Sequence, residues 1–441
     1  MSFLQYSKLK GLEFTGLSTF QILVNFRRAI VYTFLSIFLR SLGLSTTEVT
    51  LMATVGMIAN ASTQSFLWGN LLDKYRKPVE FVAFGELLAG IGHLFMVAGY
   101  THFLVLGQQI IAGYVIIFSL GIIEIFWSMS NVGWSALVSE LTEIDERKQL
   151  MGQFSVIGAF GGIGGAILGG VLFDSGGFAD GSIFLLAAAV MVFSSFIVYF
   201  SIHFRDEVKI SKSGYREDEE RYSLRDLPSH LRKSFIIFIL ALVFINFGRN
   251  SIATIAPLFL ADPTGFNANG LDVALFSNVR SVANIIAGLL IGSVVAKSDD
   301  NKVMIAGILF SGLGIVWLAV APTFTLVLVS SFLRGISEVV ISASSYSIVA
   351  RMAPKEYRGR LFAYYNTTFF LSWGIAGTLV AGPIADILIG QGFSNANAYR
   401  GSFIAALVLV VIGVIILVAA IGHFRKFEIP EEDESEVELE L

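Results

Sequence analysis

Apolar runs of membrane-crossing length recur along almost the whole chain, separated by short polar connections. A spanning helix needs about 20 mostly apolar residues. Twelve such runs are present, at 17–39, 47–71, 79–99, 104–138, 150–173, 181–202, 234–260, 271–296, 302–321, 323–350, 359–389 and 399–423. Those at 104–138, 323–350 and 359–389 exceed one membrane thickness and must tilt or project into water. Three polar stretches remain: the short N-terminus, the connection 203–233 and the acidic end "EIPEEDESEVELEL", which reads as a solvated disordered tail. No cleavable signal peptide is expected, because the first apolar run is full length and follows a polar start.

The pattern predicts an all-α integral membrane protein with twelve transmembrane helices. Composition agrees, since 55% of the 441 residues are hydrophobic and only 15% charged. Cysteine is absent, which excludes disulfides and thiolate metal sites. Basic residues set the expected orientation. Lys8, Lys10, Lys74, Arg76, Lys77, Arg147, Lys148, eight residues of 203–233, Lys297, Lys302, Arg351, Lys355, Arg358, Arg360, Arg425 and Lys426 fall in the termini or the even-numbered connections. The opposite connections hold only Arg40 and Arg400, so both termini and the 203–233 linker are expected in the cytoplasm of a cell-membrane protein.

The chain repeats itself. "NFRRAIVYTFLSIFL", from Asn25 to Leu39, lies over "NFGRNSIATIAPLFL", from Asn246 to Leu260, pairing Asn25 with Asn246 and Arg28 with Arg249. Further on, Arg147 superposes on Arg358, and "GGVLFD" on "AGPIAD", pairing Asp174 with Asp386. The expected organisation is a six-helix bundle over 1–202, a linker over 203–233, a second six-helix bundle over 234–424 and an acidic tail over 425–441. Such a layout suits a secondary transporter with its site at mid-membrane between the halves.

Here the residues resemble the major facilitator superfamily over essentially the entire chain. "GNLLDKYRKP" is similar to the superfamily's loop signature through Gly69, Asp73, Lys74, Arg76 and Lys77, although the second glycine is missing and the loop is one residue shorter. The matching second-half loop has Ala296 where the aspartate would stand. The resemblance implies gating roles for Gly69, Asp73, Lys74, Arg76, Arg147 and Arg358, with Asp73 closing the cytoplasmic side against the N-terminus of the eleventh helix. In the fifth span, Gly152, Gly161, Gly165, Gly169 and Gly170 reproduce the spacing of the superfamily's antiporter motif, with Ala166 in place of its proline. Glycines along one helix face permit close helix packing in lipid. A packing seam and a bearing on transport direction are both open readings.

Away from the connections and the span ends lie five basic residues, Arg27, Arg28, Arg249, Arg280 and Arg334, with three acidic ones well inside the spans, Glu86, Glu124 and Glu338. Helical spacing puts Gln21, Asn25, Arg28 and Tyr32 on one stripe of the first span, with Arg27 about a quarter-turn away. The seventh span repeats the stripe with Asn246 and Arg249 or Asn250, the fourth shows Glu124, Ser128, Asn131 and Ser135, and the tenth Arg334, Glu338, Ser342 and Ser345. The resemblance places the first, fourth, seventh and tenth helices around the central cavity. Expected substrate contacts are Arg28, Arg249, Asn25, Tyr32, Asn246, Asn131 and Arg280. The two pseudo-symmetric arginines would direct guanidinium forks at one carboxylate or phosphate.

Glu124, free of charged neighbours on its own helix face, is the expected proton-coupling residue, and Glu338 the second. A carboxylate whose surroundings change during the cycle can take up and release a proton. Arg334 and Glu338 stand four apart and either neutralise one another or serve the substrate. Arg27 is expected to pair with a backbone carbonyl, and Glu86 to serve a gate or helix interface. No metal cluster, cofactor motif or nucleophile triad is present, so no enzyme and no nucleic-acid partner is expected.

The leading reading is a monomeric, alternating-access transporter of a small anionic or amphipathic organic molecule in the lipid bilayer, coupled to protons, with export by antiport favoured. The alternative is a proton-linked uptake carrier for a sugar or organic acid. A membrane enzyme or receptor on the same scaffold is remote.

Overall fold

The computed structural model describes residues 11–142, 144–202, 227–295, 299–354 and 357–424. Most of the 203–233 linker, Ala296, Lys297 and the acidic tail therefore lie outside the described residues. The described residues form twelve transmembrane helical units and no strand. Their bounds are α1 (Gly11–Tyr32 and Leu35–Ser41), α2 (Thr46–Thr63, Gln64–Trp68 and Gly69–Tyr75), α3 (Pro78–Val105), α4 (Gln109–Leu141), α5 (Ile144–Asp174) and α6 (Ser182–Ile202). The second set comprises α7 (Ser229–Ser251 and Ile255–Ala261), α8 (Gly270–Val295), α9 (Asp300–Val320), α10 (Phe324–Met352), α11 (Arg358–Ala376, Gly377–Ala381 and Gly382–Gly390) and α12 (Asn395–Phe424).

All but α2 contain a stretch long and apolar enough to cross a membrane. The exception is rich in threonine, and those hydroxyls meet the other half of the molecule. The expected fourth span, 104–138, is corrected at its start. The chain leaves α3 at Val105 and turns at Gly107, whose φ of 72° suits glycine, before α4 begins at Gln109.

Helix interruptions fall where the repeat predicts partners. α1 breaks at Thr33–Phe34 and α7 at Ile252–Thr254, positions that superpose when Asn25 is laid on Asn246. In α7 the cause is Pro257, which has no N–H for the carbonyl of Ala253. α2 and α11 each carry one π-helical turn, Gln64–Trp68 and Gly377–Ala381. Pro383 follows the second, and a wider turn relieves the clash its ring would make.

Each six-helix set packs mainly within itself, and the two meet through α5 against α8, α2 against α11 and, at the Arg40 end, the outer part of α1 against that of α7. α5 also presses on α1. A methyl group on Gly161 or Gly165 would overlap the backbone carbonyls of Ile22 and Phe26, so these glycines allow the two helices to touch directly. Gly170 meets Gly270 of α8 backbone to backbone, whereas Gly152 faces open space. The glycine series is thus a packing seam that seats α1 and one edge of the half-interface.

The halves are joined at the end carrying Arg40 and Arg400. Asp386 of α11 accepts from the backbone N–H groups of Thr46 and Thr47, both at 2.8 Å. Asp174 of α5 accepts from the N–H of Gly270 at 2.8 Å. Both carboxylates complete helix caps across the halves, because the first N–H groups of any helix lack partners within it. At α2 the remaining donors are satisfied by a capping box between Ser45 and Glu48. At α8 Asn269 and Asp272 exchange the same pair of bonds. Deeper in the membrane Thr50 and Thr54 bond Thr378 at 3.0 and 2.7 Å. Beyond Met57 and Gly374 the two helices part around a wedge of about 330 Å³.

Candidate functional site

The polar stripe of α1 faces a cavity of about 310 Å³ lined by Phe20, Gln21, Asn25, Arg28, Glu86, Trp127, Ser130, Asn131 and Trp134 among others. Its wall is aromatic on one side, where Phe20 packs on Trp134 with ring centres 5.1 Å apart. Arg28 reaches this space over the Trp127 ring, 5.4 Å from its centre, and Arg27 lies 5.0 Å from the same ring. The guanidinium groups draw on the negative face of the indole. Arg27 is 2% exposed and makes no hydrogen bond to a carbonyl, which corrects the sequence expectation. It is compensated instead through the Trp127 ring and its proximity to the carboxylates of Glu86 and Glu124.

Glu86 stands at the α3–α4 helix interface, one of its two expected places, and in addition borders the cavity. It is fully buried and lines the cavity, accepting from the Ser130 hydroxyl at 2.9 Å with its second oxygen unpaired. Its position follows from the tight α3–α4 seam. Gly85 sits against Phe126 and Ser130, and Gly133 against Phe81 and Val82, so the side chain next to Gly85 is carried into α4's polar face. Trp127, Trp134 and Phe20 were also missed by the sequence reasoning, and the lone carboxylate beside Gly85 was the signal available.

Glu124 sits at a three-helix junction. Tyr32 of α1 donates to one oxygen at 2.8 Å and Asn60 of α2 to the other at 2.8 Å. Gln64, in the π turn, donates to the side-chain Oδ1 of Asn60 at 2.7 Å, extending the chain of bonds along α2. Tyr32, expected to contact substrate, is instead committed to Glu124.

The second half assembles differently. Arg249, Arg280, Arg334 and Glu338 line a void of about 20 Å³ with Asn250, Ser311, Ser337 and Trp373. Asn246 is buried, accepts from Arg249 at 3.2 Å and contacts Thr368 at 3.4 Å. Arg28 and Arg249 therefore border separate cavities rather than one common ligand site. Among the described residues Arg334 and Glu338 form no contact ion pair, yet they border the same void and the carboxylate acts on the guanidinium through space.

At the end carrying the termini, Asp73 is exposed. Gly69 and Lys74 lie on the short helix beside it, with Lys74 over the Tyr75 ring. Arg76 takes a left-handed conformation, φ 54° and ψ 41°, where the signature's missing glycine would be at ease. The side chains of Arg147 and Arg358 lie outside the described residues. A tie absent from the expectations occurs nearby. Asp300, at the start of α9, is 2% exposed and pairs with Arg351 of α10 at 2.6 Å.

Comparison with known proteins gives a consistent result. A family model described as "Major Facilitator Superfamily" matches residues 17–297 and 239–438. The chain is 23% identical over 322 residues to "Multidrug resistance protein MdtG" of Escherichia coli, covering 72% of this chain and 73% of that protein. It is 20% identical over 409 residues to "Multi-drug resistance efflux pump PmrA homolog" of Lactococcus lactis, covering 90% and 91%. A solved bacterial homologue of the lysosomal transporter Spinster, inward-facing and unoccupied, is similar in fold with a TM-score of 0.71 at 14% identity, over 95% of this chain and 98% of that one.

Proposed function

This chain belongs to the Major Facilitator Superfamily, and from that premise we propose that it exports small amphipathic organic molecules in exchange for protons by alternating access. The observation that carries this reading is the 310 Å³ cavity. Its volume suits a small organic ligand, and its wall offers aromatic area with one guanidinium and one carboxylate. Apolar contact supplies affinity there, while Arg28 and Glu86 accept head groups of either sign. The names of the MdtG and PmrA relatives speak of multidrug resistance and efflux, which favours export over uptake.

The basic residues favour a cytoplasmic position for the end carrying the termini. On that reading the Arg40 end is the closed external face, and the cavity is loaded from inside. Glu124 is the proton site. As a carboxylate it accepts both bonds strongly, and protonation turns one oxygen into a donor and weakens the hold on Tyr32 and Asn60. Those residues belong to α1, which carries Asn25 and Arg28, and α2, which carries the threonine seam to α11. Proton uptake thus loosens the two helices that border substrate and seal.

Everted membrane vesicles with an acidic lumen test this directly. A panel of fluorescent amphipathic cations, neutrals and anions should include members that accumulate with the wild type and fail to accumulate with Glu124→Gln. The reading fails if no amphipath moves while a sugar or organic acid is instead carried in symport with protons.

A further inference from the structure

The void between α7, α8, α9 and α10 has a charge the transport scheme leaves unanswered. Three guanidinium groups from three helices, Arg249, Arg280 and Arg334, border it with a single carboxylate, Glu338. Two positive charges remain uncompensated in a site where Arg249 and Arg334 are each only 9% exposed. Buried charge is costly unless paired, by several kcal/mol per ion. The side chains of Arg280 and Arg334 make no hydrogen bond to protein among the described residues. Ser311 is 1% exposed and lines the same void, to which its hydroxyl adds a further donor. Donors converge here far in excess of acceptors.

We propose that this void is a binding site for one monatomic anion, a halide, held by Arg249, Arg280, Arg334 and the Ser311 hydroxyl. The chemistry of the lining decides between anions. The lining supplies guanidinium donors from three helices, hydroxyl donors, and little apolar wall beyond Ala253 and Trp373, which suits a small ion rather than the apolar body of an organic acid. Water fits but leaves the charge unanswered. The site is separate from the 310 Å³ cavity of the first half, so it stands whether or not that cavity carries substrate. Glu338 competes with the anion for the same guanidinium groups and limits its affinity.

The test uses the purified full chain in gluconate buffer at fixed pH and ionic strength, titrated separately with chloride, bromide and acetate while thermal unfolding is followed. A ligand of the folded state raises the unfolding temperature saturably. Chloride and bromide should do so, and acetate should not. Arg334→Gln and Arg280→Gln should each raise the halide midpoint by about tenfold or more, the loss expected for a charge-assisted bond. Glu338→Gln should lower the midpoint, and Arg28→Gln should leave it unchanged. Absence of a saturable halide effect in the wild type overturns the proposal. So does an acetate response stronger than that of chloride, which would assign the site to a substrate carboxylate. If Arg334→Gln does not fold, an unchanged or raised midpoint in Glu338→Gln overturns it alone.

Discussion

In the first half, Arg28 and Glu86 line a cavity of about 310 Å³ together with the Trp127 ring, whereas in the second, three arginines face one glutamate around about 20 Å³. The scaffold beneath them is shared. The helix breaks in α1 and α7 superpose, and Asp174 and Asp386 each cap a helix of the opposite half. Repetition preserved the parts that hold the halves together and released the charged interior to diverge. Balanced charge leaves room for ligands of either sign, while unbalanced charge calls for a counter-ion.

The largest expected effect breaks the first half at its proton site. Glu124→Gln should abolish pH-driven transport while leaving substrate binding intact, measured as vesicle uptake against dye binding to purified protein. Wild-type uptake by this variant would return the proton role to Glu338 and reverse the contrast between the halves.

Next come the two aspartates. Asp386→Ala loses two charge-assisted bonds and Asp174→Ala one, each worth roughly 1.5–3 kcal/mol. Both should open the Arg40 end, the first more than the second. Reaction of a cysteine placed near Thr46 in this naturally cysteine-free chain measures it. A larger effect at Asp174 would show that α5–α8, rather than α2–α11, is the principal seal.

Trp127→Ala sharpens the contrast further. It removes the ring shared by Arg27 and Arg28 and should weaken dye binding, with each cation–π contact worth about 0.5–2 kcal/mol. The halide midpoint of the second half should not move. The smallest effect is Arg76→Gly, which relieves a left-handed residue and should stabilise the fold by about 1 kcal/mol in thermal unfolding.

The twelve helices were legible because a bilayer demands runs of a fixed apolar length, and only α2 blurred that signal, through the threonines that face α11. The stripe of Asn25 and Arg28 was legible from helical spacing, and both border the larger cavity. Glu86 was legible as a helix-interface residue, but its access to the cavity was not, because the resemblance put α3 outside it and only the glycine seam with α4 reveals how close the helices come. The pairing of Arg28 with Arg249 followed the repeat correctly, yet each side chain is directed by its own neighbours. Trp127 draws the first, and Asn246 holds the second toward the void of its own half.

The most direct measurement is an anomalous difference map from crystals grown with sodium bromide and a transported amphipath. The expected result is a bromide peak among Arg249, Arg280 and Arg334, with the organic ligand against Trp127 and Trp134. A bromide peak at Arg28, or the ligand's own charged group seated on Arg334, would contradict the division between a charge-balanced substrate cavity and a charge-unbalanced anion site.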